Sequence, residues 1–148
     1  MLIKKSPLDL QDFLVTQNTF KFIPTDEEID ADHIFKNYLI DIEYSINTKD
    51  DLNFQLYVKI EVNASGESPG YSLTAEGVGI FLLGDGLSLD DKKRFLNYSA
   101  LSICINNLRS LFSTITAHYP LGKYVMPAVD VNDLVSQKAK LVNGKKGE

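Results

Sequence analysis

Few residues of this chain have chemistry to offer. Its two histidines are His33, in an acidic stretch, and His118, at the end of a long apolar periodicity, and its one cysteine is Cys104. Neither histidine lies near the cysteine in sequence, and no H-x-x-x-H or C-x-x-C spacing occurs, so a metal centre has no signature here. A histidine at a helix C-terminus is explained by attraction to the negative end of the helix dipole, which covers His118. A lone thiol within an apolar helical pattern cannot form an intrachain disulfide, and Cys104 reads as a small buried hydrophobe. There is no G-x-S-x-G and no Walker loop, and Gly77-Val78-Gly79 is a fragment of a dinucleotide loop misplaced within a strand pattern. Asp41 and Glu43 share the wet face of a strand and would form an acid–base pair only beneath a covering cleft. The chain therefore reads as a non-enzyme that needs neither metal nor cofactor.

The elements that carry these residues alternate clearly in the middle of the chain. Tyr38, Ile40, Ile42, Tyr44 and Ile46 alternate with Leu39, Asp41, Glu43, Ser45 and Asn47, and Leu52, Phe54, Leu56, Val58, Ile60 and Val62 share one face after the loop Asn47 to Asp51. Period-two alternation of this length predicts half-buried antiparallel strands with one wet face. A third strand is expected from Tyr71 to about Leu83, with Gly77 and Gly79 marking a bulge or the close approach of another backbone. Thr19 to Ile23 supplies a fourth, short strand, closed by Pro24. The acidic stretch Asp26, Glu27, Glu28, Asp30 and Asp32 reads as an exposed crossover. Residues 1–16 are expected to be an extension with little structure, and 143–148 a disordered tail. The fold class is α+β: an antiparallel four-stranded sheet, meander plus crossover strand, then a long helix and a short C-terminal helix, all in one domain.

Ser88 opens the long helix, with Asp90 and Asp91 in its first turn. Phe95, Tyr98, Leu101, Ile105, Leu108, Phe112 and Ile115 step by three and four, widened by Cys104 and Leu111. The opposite side is nearly uncharged: Ser99, Ser102, Ile103, Asn106, Ser110, Ser113 and Thr114, with Arg109 the only charge between Phe95 and His118. A helix lying on a sheet normally turns charges outward. A chain of 148 residues has little else to cover this second face, so a second copy is its expected cover, in a self-complementary contact. After Pro120 and Gly122, Asp130 is expected to cap the last helix.

Hydrophobic residues at 44% and charged residues at 24% are ordinary for a globular domain. A net charge of -5 without a basic stripe before the last residues argues against nucleic acid. The longest apolar run, near Val78 to Leu83, is far below the roughly 20 residues of a membrane span. Lys4 and Lys5 are followed by Pro7, Asp9, Gln11 and Asp12 rather than by a signal-peptide core, so a soluble, intracellular protein is expected.

The order of short strand, crossover, meander, long helix, extended segment and short helix resembles the SecB export chaperones. The resemblance is carried by Gly79-Ile80-Phe81, by Asn107-Leu108-Arg109, and by Tyr119-Pro120-Leu121-Gly122-Lys123-Tyr124-Val125-Met126-Pro127-Ala128-Val129-Asp130 running into Asn132-Asp133-Leu134. It covers about residues 35 to 142. It implies a bacterial cytoplasmic homo-oligomer, a dimer or a dimer of dimers, that holds unfolded polypeptides without ATP, in the service of protein export. By position the client grooves draw on Phe20, Phe22, Ile23, Ile34 and Phe35, and on Tyr124, Val125, Met126, Val129 and Leu134. The oligomer contact would use Ser99, Ser102, Ile103, Asn106, Ser110 and Ser113. Asp41, Glu43 and Glu61 would supply the acidic sheet surface that family members present to the SecA motor, whereas the tail from Lys138 to Lys146 is basic where those members are acidic or polar. A relative serving an unstable antitoxin, a dedicated adaptor with one folded partner, and a small-ligand binder are the alternative readings.

Overall fold

The computed structural model describes every residue except Glu27, Ile29 and Glu148. Four strands form one antiparallel sheet in the order β1-β4-β3-β2. They are β1 (Leu8–Ile23), β2 (Ile40–Thr48), β3 (Asn53–Val62) and β4 (Gly70–Leu83). A short helix, α1 (Ala31–Lys36), interrupts the crossover from β1 to β2. After β4 the chain forms α2 (Leu89–Arg94), a π-helical turn over Phe95–Ala100, α3 (Leu101–Thr116), an extended segment, and α4 (Val131–Lys146).

The meander follows the alternation. Leu56, Val58, Ile60 and Val62 are fully buried on one face of β3, while Gln55, Tyr57, Lys59 and Glu61 line the other. Across the inner face lie Leu101, Cys104, Ile105, Leu108 and Phe112 of α3, all buried in the same core as Leu73, Ala75 and Phe81 of β4. Each buried Leu, Ile, Val and Phe side chain here contributes roughly 1.5–3 kcal/mol, so this layer holds the molecule together. Phe54 and Phe81 stack at 5.1 Å between ring centres at one end of it.

The hairpins rest on polar side chains that satisfy turn amides. The Asp50 carboxylate accepts from the amides of Leu52 and Asn53 at 2.9 and 2.8 Å. Asn63, in the left-handed region at φ 51°, is buried; its side chain donates to the carbonyls of Ser68 and Tyr71 and accepts from the Ser68 amide. Ser88 and Asp130 cap α2 and α4 as expected, accepting from the amides of Asp91 and Asp133.

Three expectations need correction. The N-terminal segment is not a loose extension: β1 starts at Leu8 and pairs with β4 along its whole length, from Leu8–Leu83 to Ile23–Gly70. The bulges fall in β1, at Gln11 and Thr16, rather than at the glycines of β4. Gly77 and Gly79 instead leave room for side chains: a Cβ at Gly77 would stand 2.5 Å from the Phe13 ring, and one at Gly79 2.6 Å from the Cys104 sulfur. At the other end, α4 is as long as α3 and runs to Lys146, so residues 143–146 of the expected disordered tail are helical. Glu27 of the expected acidic crossover and Glu148 of the expected tail lie outside the described residues. Among the described residues, no helix is long and apolar enough to cross a membrane.

Candidate functional site: an aromatic cleft at one end of the sheet

Aromatic rings from four parts of the chain meet where β1 ends and β4 begins. Phe20 lies 5.3 Å from Tyr71 and 4.1 Å from Tyr119, and Phe22 lies 6.2 Å from Tyr71, centre to centre. From α1, Phe35 reaches Tyr71 at 5.5 Å, Tyr124 at 5.2 Å and Tyr38 at 5.8 Å. Tilted and edge-on contacts at these distances are favourable and tolerate small shifts of the rings.

The tyrosines also serve as brackets. The Tyr38 hydroxyl donates to the Pro69 carbonyl and accepts from the Tyr71 amide, while the Tyr71 hydroxyl donates to the Gly122 carbonyl and accepts from the Leu121 amide. Burial raises the pKa of both phenols above the usual 10.0, so both remain neutral donors at physiological pH. The extended segment is stitched to α3. Thr116 accepts from the Tyr124 amide, Ser113 donates to the Tyr124 carbonyl, and Arg109 donates twice to the Met126 carbonyl. Alternation along this segment turns Tyr124 and Met126 inward and leaves Val125 59% exposed.

The residues expected to hold clients divide accordingly. Ile34, Tyr124 and Met126 are core residues at 4%, 1% and 0% exposure, so they present almost no surface; that expectation is corrected. Phe22 and Val125 are exposed, and Phe20, Ile23 and Phe35 are half-buried. Val129 and Leu134 lie elsewhere, lining a depression against Ile40, Asp41 and Ile42 of β2. Tyr38, Tyr71 and Tyr119 belong to the aromatic cluster but were absent from the expected set; a tyrosine where a strand meets a loop, with an apolar body and a polar tip, was the available signal.

The helix face proposed for oligomer contact is partly engaged within the chain. Ser113 bonds to Tyr124, and Asn106 accepts from Arg109 at 3.1 Å. Asn106 and Ser110 are exposed, while Ser99, Ser102, Ile103 and Ser113 are half-buried. On the outer sheet face, Asp41 and Glu43 are exposed, and Glu61 pairs with Lys59 at 2.7 Å. Asp41 and Glu43 flank a groove of about 440 Å³ between β2 and α4, where Lys138 bonds the Tyr44 carbonyl and stands over its ring.

His33 is exposed on α1, and His118 is exposed two residues beyond α3. Cys104 is fully buried, and burial pushes its thiol from 9.0 up to about 12, far from a reactive thiolate. Among the described residues no group of His, Cys, Asp or Glu is arranged to hold a metal ion.

No protein-family profile matches the sequence, and no curated protein is similar to it in sequence. Solved structures do match. The SecB-like chaperone Rv1957 of Mycobacterium tuberculosis, in complex with a ChAD peptide from the HigA1 antitoxin, superimposes with a TM-score of 0.58 at 8% identity, covering 82% of this chain and 90% of that one. A protein of unknown function from Streptococcus agalactiae superimposes with a TM-score of 0.50 at 6% identity, covering 82% of this chain and 97% of that one. At such identities the likeness is one of fold, and the fold of this chain is SecB-like.

Proposed function

We propose that this protein is an ATP-independent holdase that binds unfolded or partly folded polypeptides. The observation that carries the reading is the aromatic cleft. Rings from β1, α1, β4 and the turn after α3 converge, and Phe22, Tyr119 and Val125 remain 37%, 43% and 59% exposed around them. Exposed apolar groups gathered around such a ring cluster mark a place where another polypeptide sits. Rings in tilted contact adapt to many side chains, which suits a site that must accept varied sequences. The SecB-like fold supports the same reading.

A dedicated adaptor for one partner is the second reading, favoured by the antitoxin peptide bound to the Mycobacterium tuberculosis neighbour. Assembly through the small, uncharged residues Ser99, Ile103, Asn106 and Ser110 belongs to either reading. Transfer of clients to an export motor such as SecA would use the outer acidic face, where Asp41 and Glu43 are free of ion pairs among the described residues.

Binding of one permanently unfolded protein and of its native form separates the two readings. A holdase retains the unfolded form and ignores the native one in calorimetry without nucleotide. Failure to retain any unfolded protein would leave only the adaptor.

A further inference from the structure

The cleft continues into a groove of about 430 Å³ between α1 and the extended segment, walled by Phe35, Tyr38, Tyr124 and Pro127. Its charged residues are Lys36, Lys123 and Asp32, two positive and one negative, on a chain whose formal charge is -5. All three are exposed, and neither lysine has an ion-pair partner among the described residues, where the ion pairs are Lys59–Glu61 and Arg94–Asp91. The inner wall has a second unusual feature. Tyr124 is 1% exposed, yet its hydroxyl has no hydrogen-bond partner among the described residues. The neighbouring hydroxyls of Tyr38 and Tyr71 each make two hydrogen bonds. Burial keeps the Tyr124 hydroxyl out of reach of a bound segment, so recognition in the groove rests on the exposed lysines.

We infer that this groove selects polypeptide segments in which an apolar side chain is flanked by acidic residues. The apolar side chain lies against Phe35, Val125 and Pro127, and flanking carboxylates meet Lys36 and Lys123. This rests on the holdase reading and adds a selection rule to it. The rule opposes what total charge dictates, because an acidic protein attracts basic segments at long range. Local contact with the lysines and long-range attraction therefore predict opposite orders of affinity.

The test is fluorescence anisotropy of three peptides carrying a neutral dye and one shared apolar core, flanked by Glu, by Gln or by Lys. The Glu-flanked peptide is expected to bind roughly three- to tenfold tighter than the Gln-flanked one at low salt, an advantage that high salt removes. The double variant Lys36→Glu with Lys123→Glu changes only exposed side chains and should reverse the order of the Glu and Lys peptides. Equal affinities, or tighter binding of the Lys-flanked peptide, would overturn the selection rule while leaving the holdase in place. No binding of any peptide by the folded protein would overturn both.

Discussion

Arg109 grips Met126: its Nε and Nη2 donate to the Met126 carbonyl at 3.0 and 2.8 Å. This fork fixes the extended segment along α3 and sets which of its residues face in. Hydrogen bonds from a charged donor contribute about 1.5–3 kcal/mol, more than neutral ones, and the carbonyl left behind in a variant loses its partner. Arg109→Ala should therefore lower the unfolding free energy by about 1.5–3 kcal/mol in urea titration. Amide exchange should quicken around residues 123–130 and remain slow in β3 and β4. Uniform loss of protection over the whole chain would show that the clamp supports the core rather than the cleft.

Alkaline pH provides a separate test of the packing. Burial raises the Cys104 thiol from 9.0 to about 12, and raises the phenols of Tyr38, Tyr44 and Tyr71 above 10.0. Above these unfolded values the unfolded chain releases protons that the folded chain keeps, so rising pH favours unfolding. Stability from these groups is fully present below pH 9.0 and declines as pH rises toward about 12. The urea midpoint should fall over that window, and Cys104→Ala should remove the part of the slope between 9.0 and 10.0 while the tyrosine part remains. A midpoint equally steep in Cys104→Ala would place the thiol in a wetter environment than its 0% exposure indicates.

The uncharged helix face yields a prediction about assembly. Ser110 is exposed on α3, and its side chain makes no hydrogen bond among the described residues. Ser110→Glu should be neutral in a monomer and costly where two copies meet, because a buried unpaired carboxylate opposes association. Light scattering with chromatography should show the parent as an oligomer and the variant as a smaller species with unchanged circular dichroism. An identical mass for both would remove this face from the interface.

How much of this was legible in the sequence depends on how regular each element is. The inner faces of β3 and β4 and the stripe of α3 follow strict periods of 2 and 3.6, and one-sided burial preserves such periods. The first half of β1 was hidden because bulges at Gln11 and Thr16 each shift the alternation by one residue, so that Leu8, Leu10, Phe13, Val15, Phe20 and Phe22 share a face without sharing a period. α1 is too short to show periodicity, with Ile34 its one buried residue, and α4 has no buried residue among its 16. At the cleft, Phe20 and Phe22 stood out in the short strand expected from Thr19 to Ile23, and Phe35 just after the acidic stretch. Tyr38 and Tyr71 did not, because each continues a strand pattern whose end becomes a wall only once α1 and the Tyr119–Gly122 turn fold against it. Burial of Tyr124 and Met126 followed from the Arg109 clamp, a contact 17 residues apart in sequence that no local pattern announces.

The central claim is that the exposed apolar cleft holds unfolded chains, and aggregation kinetics test it most directly. A chemically denatured, aggregation-prone protein is diluted into buffer with and without this one, without nucleotide, and light scattering is followed over time. Suppression should saturate near one oligomer per client and weaken when Phe22 and Val125 are both changed to Ser, exposed substitutions that leave the core intact. Undiminished scattering in the presence of the folded parent would contradict the holdase and leave the SecB-like fold serving a single dedicated partner.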